Sequence, residues 1–468
     1  MPAAAPTCAD AVMVLPGIMG SELVEVETGR VLWGLADPGW YVRAWTTGGS
    51  LSALRPTPEE LEGHGSRIAA TRLLRFPAFA PILRGAEPYT KLVDALGRVA
   101  AHPAAVATFP YDWRLPVSVN ARLLAEAAQM HLAAWRAHPA CRADEVRLVL
   151  VAHSMGGLIA RHFTDELGGG ELVRTVVTLG TPFFGSVKVL SMWNSGRGGP
   201  VPLPHRRLRD LAASLPSVHD LLPTYRCVDE GGDRPARRLT RADVAAAGGD
   251  AELAGAALER RPERAPGLGP STRMVVGVSQ PTGQSVSLRD GVVTEHRHIC
   301  QDTADGGVRR VDRGGDSTVL REAAALPGIE PVYFAQSHGG LPGADEVVEY
   351  VRAVLTEQPL GPPLGAVELG LDVPDVAVAG QPFPVTVHLS TDPAELGSSS
   401  ATVRCRVVSG AANTPVARPL LRRSGAATLT GTVLVDRPGV YALEVKAGGG
   451  SAVRQLVLVV PASDTDDR

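Results

Sequence analysis

The stretch "RLVLVAHSMGGLIARHF", residues 147–163, passes from an unbroken apolar run through a His–Ser pair into two glycines and a second apolar pattern. The run Val146 to Ala152 is apolar apart from Arg147 and shows no regular polar alternation, which suits a parallel strand covered on both faces. A helix starts near Gly156, so Ser154 stands in the turn between strand and helix. Its neighbours Ala152, Gly156 and Gly157 are small and permit a sharp, strained bend. Such a bend lifts the serine hydroxyl above the sheet edge, and the helix N-terminus beside it offers unpaired backbone N–H groups and a positive dipole end. A serine that only caps the helix is the alternative, but capping does not require small residues before and after it.

Working outward, "AVMVL" (11–15) is a second short apolar run, closed by Pro16-Gly17. Between the two runs, Ala121 to Ala137 places Leu123, Leu124, Ala127, Met130, Leu132 and Trp135 at a spacing that predicts a helix with one apolar face. Downstream, "LVRTVVTLG" (172–180), "TRMVVGVS" (272–279) and "PVYFAQS" (331–337) read as further strands. Strands alternating with helices predict an open, mostly parallel α/β sheet whose reactive groups lie beyond the carboxyl ends of the strands.

Two regions interrupt the alternation, about 34–105 and 186–270, and both read as insertions over the sheet. The second is expected to act as a lid, with partial disorder near 228–268. From "GPPLG" (361–365) onward the texture changes to short alternating runs such as "FPVTVHLS", "ATVRCRVV" and "VRQLVLVV", separated by turn residues. This predicts an all-β sandwich of immunoglobulin-like size. The expected organisation is therefore a domain over 1–360 with two insertions, a sandwich over 361–462 and a solvated tail over 463–468.

Composition narrows the class. With 46 basic and 49 acidic side chains the formal charge is −3, which gives no reason to expect a nucleic-acid partner. No apolar stretch is long enough to span a bilayer, and Met1 to Asp10 lacks the basic start and apolar centre of a secretion signal, so a cytoplasmic protein is expected. The five cysteines, at 8, 141, 227, 300 and 405, stand singly and suggest reduced thiols rather than a disulfide framework.

A serine hydroxyl becomes a strong nucleophile only when a base removes its proton, so Ser154 requires a histidine and an orienting carboxylate near the ends of later strands. His338, in "YFAQSHGGL", directly follows the last strand of the α/β region. Within "DRGGDSTV", Asp316 is the better carboxylate, because Ser317 and Thr318 can hold it while Asp312 lies among charges. The order Ser, Asp, His is that of hydrolases built on such a sheet. Negative charge on the tetrahedral intermediate would be received by the backbone N–H groups of Met155 and of Ile18, the latter in the loop "LPGIMGS" after the first strand.

Several separated segments, "VLPGIMGSEL" (14–23), "FPYDWRL" (109–115), "VAHSMGGLIAR" (151–161), "TLGTPFFGS" (178–186), "LPSVHDLLP" (215–223), "GGDSTV" (314–319) and "SHGGL" (337–341), resemble the lecithin:cholesterol acyltransferase family in content and order. The resemblance implies an α/β-hydrolase fold with cap and lid, no cofactor, and attack by Ser154 on a lipid ester, with the acyl group passed to water or to an alcohol. It implies Asp316 and His338 as the partners of Ser154, and Ile18 and Met155 as oxyanion donors. Asp112 and Arg114 in "PYDWR" are expected to form a buried pair, with Trp113 in the core. The sequence departs from the family pattern at Ala152, Ser317 and Leu320, and it lacks the family's lid cysteine pair between 34 and 108.

Hydrolysis through an acyl-enzyme is the leading expectation, transfer to an alcohol the first alternative, and a non-catalytic protein that binds a partner through its sandwich the second. The alternating His296, His298 and Cys300 could bind zinc if they share a strand face, though a polar hairpin is simpler. Trp40, Tyr41, Trp45 and Trp193 could dip into a lipid interface or fill the cap core, and the basic run "RPARRLTR" (234–241) could meet anionic headgroups or simply be solvated.

Overall fold

The computed structural model describes residues 7–34, 49–62, 65–74, 89–195, 205–259, 271–303, 306–359, 369–389, 403–409, 414–425, 427–447 and 452–461. Six strands, Ala11–Leu15 (β1), Val106–Thr108 (β2), Leu148–His153 (β3), Val173–Leu179 (β4), Thr272–Gly277 (β5) and Val332–Phe334 (β6), form one sheet in the order β6-β5-β4-β3-β1-β2. Every neighbouring pair is parallel.

The apolar runs are continuous because each strand feeds two cores. Met13 and Leu15 of β1, with Leu148, Leu150 and Ala152 of β3, face one side, where helices Val117–Arg136 (α2) and Met155–Asp165 (α3) pack. Val12, Val14, Val149 and Val151 face the other, against Thr90–Val99 (α1) and Asp345–Leu355 (α4). A sheet covered on both faces has no solvent side to alternate toward.

The α2 helix is buried through Val117, Ala121, Leu124, Ala128, Leu132 and Trp135. Two residues expected on its apolar face point outward instead: Leu123 is 45% and Met130 67% exposed. The buried stripe therefore runs through Ala121, Leu124, Ala128, Leu132 and Trp135, and Leu123 and Met130 lie beyond its edges.

Within 34–105 the described residues include helix α1, which flanks the central sheet, and Ile68–Leu73, which pairs with Ser21–Glu25 and, through it, with Val31–Trp33 in a three-stranded antiparallel sheet. Trp40, Tyr41 and Trp45 lie outside the described residues. Within 186–270, helices Lys188–Ser195, His205–Ala213, Pro216–His219, Arg241–Ala247 and Ala251–Glu259 account for most of the described chain, so 228–259 is ordered and 260–268 lies outside the described residues. Trp193 is fully buried, its ring tilted 37° against that of His219 with the centroids 4.5 Å apart. The basic run 234–241 is neutralised in part, since Arg237 pairs with both Glu230 and Asp243.

Residues 369–460 form two all-β sheets. Leu369–Asp372 (β7), Val376–Val378 (β8), Phe383–Leu389 (β9), Arg404–Ser409 (β10), Thr414–Ala417 (β11), Arg422–Gly425 (β12), Thr428–Val433 (β13), Gly439–Lys446 (β14) and Val453–Val460 (β15) pair as β7-β9-β13-β12 and β8-β15-β14-β10-β11. Phe383, Val385, Val387 and Leu389 alternate inward along β9 and meet Val407, Leu443, Val445 and Val457 of the second sheet. The linker 361–365 and the tail 463–468 lie outside the described residues. No described helix is long and apolar enough to cross a membrane.

The "PYDWR" segment after β2 holds a buried charge cluster. Arg114 is fully buried and spans Asp112 (Nε–Oδ1 2.9 Å, Nη2–Oδ2 2.6 Å) and Glu60 (3.2 Å from each of Nη1 and Nη2). Burial alone would raise the Glu60 carboxyl, but the guanidinium overrides it and holds the group below its ordinary range. Removing the cation would strand two buried carboxylates. Arg114→Ala is expected to lower stability by about 3–5 kcal/mol, read as an earlier midpoint in urea unfolding; an unchanged midpoint would remove the cluster from the fold's essential contacts.

Candidate active site

The chain turns from β3 into α3 through Ser154 at φ 52° and ψ −125°. A non-glycine residue at positive φ is uncommon and costs energy that the surroundings must offset. Here the offset is packing. A methyl on Gly156 would lie 2.5 Å from the Pro16 carbonyl oxygen, and one on Gly157 would overlap the Thr181 side chain. Larger residues would push the helix away from the loop after β1 and from the end of β4. Ala152, where the family pattern has glycine, is fully buried in register with Leu15 and Thr178.

The three side chains expected to cooperate are brought together across long intervals of chain. The Ser154 hydroxyl lies 2.8 Å from His338 Nε2, and His338 Nδ1 lies 2.7 Å from Asp316 Oδ2. Asp316 is almost completely buried, and its Oδ1 accepts from the N–H groups of Thr318 (3.0 Å) and Val319 (2.7 Å). A carboxylate so placed accepts a hydrogen bond from the imidazole Nδ1–H and keeps the proton on that nitrogen, which leaves Nε2 as an acceptor facing the serine. The His338 N–H also donates to the Asp316 carbonyl at 2.7 Å. Asp312 is exposed and bonds instead to Gln284 and the Gly314 N–H. Ser317, where the family pattern has glycine, adopts φ 79°.

The loop after β1 lies against the serine: a methyl on Gly17 would stand 3.0 Å from Ser154 Cβ. Its residues are tied down in turn. The Tyr111 hydroxyl donates to the Pro16 carbonyl (2.9 Å), Gly17 N–H donates to the Tyr89 hydroxyl (2.8 Å), Trp33 Nε1–H donates to the Met19 carbonyl (3.0 Å), and Tyr111 N–H donates to Ser21 Oγ (3.0 Å). Trp113, fully buried, donates to the Ser21 carbonyl. Among the described residues, the N–H groups of Ile18 and Met155 have no partner. Met155 directly follows Ser154, and Ile18 directly follows Gly17 in the loop against it.

Two residues of the site were missed in the sequence. His153 is fully enclosed between the Tyr89 hydroxyl, 2.8 Å from Nδ1, and the His338 carbonyl, 3.0 Å from Nε2. Because the His338 carbonyl can only accept, Nε2 carries the ring proton and donates to it, and the Nδ1 of the neutral ring accepts from the Tyr89 hydroxyl. Burial, reinforced by the nearby His338 ring, pushes the His153 imidazole down to about 3. Burial likewise raises the Tyr89 phenol well above its ordinary range. His153 adjoins Ser154, a local signal that could have been weighed; Tyr89 sits in the first insertion with no pattern to mark it.

The alternation of His296, His298 and Cys300 does not put them on one strand face. The strand Val292–His296 ends before His298, and Ile299–Asp302 belongs to a different hairpin. His296 bonds to Ser287, while ligand atoms of Asp229, His298 and Cys300 lie within 4.8 Å of one another. The Asp229 carboxylate is already spanned by Arg310 (2.8 Å to each oxygen) and accepts from His298 at 2.9 Å. Arg310 holds that carboxyl far below its ordinary range. A metal ion would have to share the carboxylate with a guanidinium, so this donor set does not fit one.

No protein with a curated function matches the chain in sequence. The crystal structure of the Tle4–Tli4 complex is similar at 16% identity and TM-score 0.42, covering 74% of this chain and 96% of that one. The Bacillus licheniformis lipase BlEst2 is similar in its propeptide form at 13% identity and TM-score 0.32, covering 97% of this chain and 76% of that one. Its mature form gives 14% identity and TM-score 0.31 over 76% of this chain and 96% of that one. Likeness at that level carries no argument. The sequence match is firmer: over residues 81–239, which hold the elbow at Ser154, the chain matches the lecithin:cholesterol acyltransferase family.

Proposed function

We propose that the protein is a serine-dependent acyl-ester hydrolase acting on a lipid through an acyl-enzyme. The family match supports a lipid acyl-ester hydrolase or acyltransferase in the coarse sense. The finer reading is carried by one observation, the hydrogen-bonded line from Ser154 through His338 to Asp316. The Asp316 and His338 segments lie beyond residues 81–239, so their part rests on geometry and on the sequence motifs alone.

In this reading His338 Nε2 takes the proton of Ser154 as the hydroxyl oxygen attacks the ester carbonyl. The N–H groups of Ile18 and Met155 bind the oxyanion, and Asp316 stabilises the imidazolium without accepting its proton. His338 then protonates the departing alkoxide, leaving the acyl group on Ser154. Water repeats the sequence in reverse: His338 removes its proton, the acid is released, and Ser154 recovers its hydrogen. An alcohol in place of that water would give transfer, the chemistry in the family's description. Product analysis with and without an added alcohol separates the two.

We read residues 1–360 as the catalytic domain and 361–462 as an immunoglobulin-like sandwich. Numbered along the chain, the C-terminal strands lie in the orders 1-3-7-6 and 2-9-8-4-5, and this split into two antiparallel-rich sheets supports the reading. Tyr441, early in the eighth strand, donates its hydroxyl to the Arg437 carbonyl at 2.9 Å, the bond expected of a tyrosine corner.

A fluorophosphonate probe tests the enzyme reading: Ser154→Ala is expected to lose all labelling and roughly 10³ to 10⁶-fold in turnover, whereas an unlabelled, folded wild type would support a non-catalytic protein. Gly180→Ala puts a methyl 3.0 Å from Asp316 Oδ2 and 3.1 Å from His338 Nδ1. Ester turnover should fall by about 10²-fold or more, since small misplacement at a reacting centre costs that much, and wild-type rates in this variant would contradict the geometry. His153 adds a pH dependence. Its folded value near 3 lies below the unfolded value of about 6.5, so the unfolded chain binds the extra proton. Stability from this group is therefore full above about pH 6.5 and is lost as pH falls toward 3, which thermal melts of wild type and His153→Gln across that range would reveal as a shallower acid decline in the variant.

A further inference from the structure

Behind His338 the catalytic loops do not end in solvent. They end on the C-terminal sheets. The Ser337 hydroxyl donates to the Arg454 carbonyl (3.0 Å), and the Gln336 amide donates to the Ala452 carbonyl (3.2 Å), both at the start of β15. Gln336 and Ser337 are buried there, and Ser337 opens the short 3-10 turn that carries His338. The loop bearing Asp316 is held from the same side. Gln280 N–H donates to the Gly315 carbonyl and bridges to Asp316, while its side-chain amide donates to the Leu369 carbonyl (2.6 Å) and accepts from the Leu371 N–H (3.2 Å). Gln280 thus reads the backbone of β7 as a neighbouring strand would. Gly370 lies so close to the Ser279 carbonyl that a methyl there would overlap it, and Arg297 pairs with Asp372 at 2.7 Å on the rim of the seam.

We propose that the C-terminal all-β region positions the catalytic loops: through Ser337, Gln336 and Gln280 it fixes the distance between the Asp316 and His338 segments, and so the reach of His338 to Ser154. The proposal rests on the serine-hydrolase reading. The physical reason is that a general base must be held within a fraction of an ångström of its proton donor by supporting hydrogen bonds. The His338 loop has only a three-residue strand, Val332–Phe334, before it, and that strand is at the sheet edge. An edge strand this short gives little stiffness by itself. The seam supplies bonds that the central sheet does not. Ser337, Gln336 and Gln280 are therefore positioning residues, since their side chains bond to the β7 and β15 backbone rather than to a reacting atom.

The test uses the full chain with a short-chain, water-soluble p-nitrophenyl ester and a fluorophosphonate. Ser337→Ala and Gln280→Ala are expected to lower kcat and kcat/KM together by about tenfold each, with KM within twofold, because the acylation geometry is disturbed while the ester's binding surface is not. The fluorophosphonate should still label both variants to completion, only more slowly, and Ser337→Thr, which keeps the hydroxyl, should recover most of the lost rate. Circular dichroism reports whether each variant is folded. If Gln280→Ala does not fold, the Ser337→Ala and Ser337→Thr pair decides, together with Gly370→Ala, which pries the same seam without removing a polar group. Wild-type acylation rates in folded Ser337→Ala and Gly370→Ala would overturn the proposal, as would equal losses in Ser337→Ala and Ser337→Thr. A wild type that the fluorophosphonate fails to label would instead overturn the hydrolase reading beneath it.

Discussion

A single line of hydrogen bonds behind the candidate nucleophile holds the site together. It runs from the Gly17 N–H to the Tyr89 hydroxyl, from Tyr89 to His153, and from His153 to the carbonyl of His338. Each bond crosses between segments distant in the chain: the loop after β1, the first turn leading into α1, the elbow, and the loop after β6. The order of donors and acceptors is set from the far end, because the His338 carbonyl can only accept: His153 Nε2–H donates to it, Nδ1 accepts from the Tyr89 hydroxyl, and Tyr89 Oη accepts from Gly17 N–H. A neutral His153 is required for this order, and burial keeps it neutral. Protonation would place two donors where one donor and one acceptor are needed.

The loop that presents Ile18 depends on a second layer of support. Tyr111 and Trp113 reach it with a hydroxyl, a main-chain amide and an indole N–H, and both stand in the segment whose Arg114 is locked between Asp112 and Glu60. A buried ion cluster is a weak source of net stability, since desolvation consumes much of the attraction. Its value here is geometric. Two carboxylates that must face one guanidinium leave the "PYDWR" chain a single path, and that path sets where Tyr111 and Trp113 can bond.

The C-terminal region meets the same site from the opposite direction. Backbone carbonyl and N–H groups along β7 and around the start of β15 bond to Gln280, Gln336 and Ser337. Three polar side chains buried at such a seam would be costly if unpartnered, so each bond is both a satisfied group and a fixed distance. The elbow is held from below by the sheet, the loop after β1 by the aromatic residues, and the Asp316 and His338 loops by the β-rich region.

Much of this was legible in the sequence because it is written in local patterns. Continuous apolar runs marked β1 and β3, small residues around Ser154 marked the bend, and the spaced motifs pointed to Asp316 and His338. Patterns in one dimension fail where neighbours in space decide. Leu123 and Met130 looked like core, yet the face that α2 buries runs through Ala121, Leu124, Ala128, Leu132 and Trp135 and leaves both of them outside. His296, His298 and Cys300 looked like one face, yet His296 ends one hairpin, Cys300 belongs to another, and His298 lies in the break between them. Tyr89 carried no signal, since nothing near it in the chain needs a hydroxyl; only the approach of Gly17 and His153 does. The sequence alone therefore determined the class of fold and the residue types able to react, because strand burial and turn chemistry act over a few neighbouring residues. Which groups hold those residues at bonding distance was decided by tertiary structure, because hydrogen-bond partners far apart in the chain meet only after the sheets have packed.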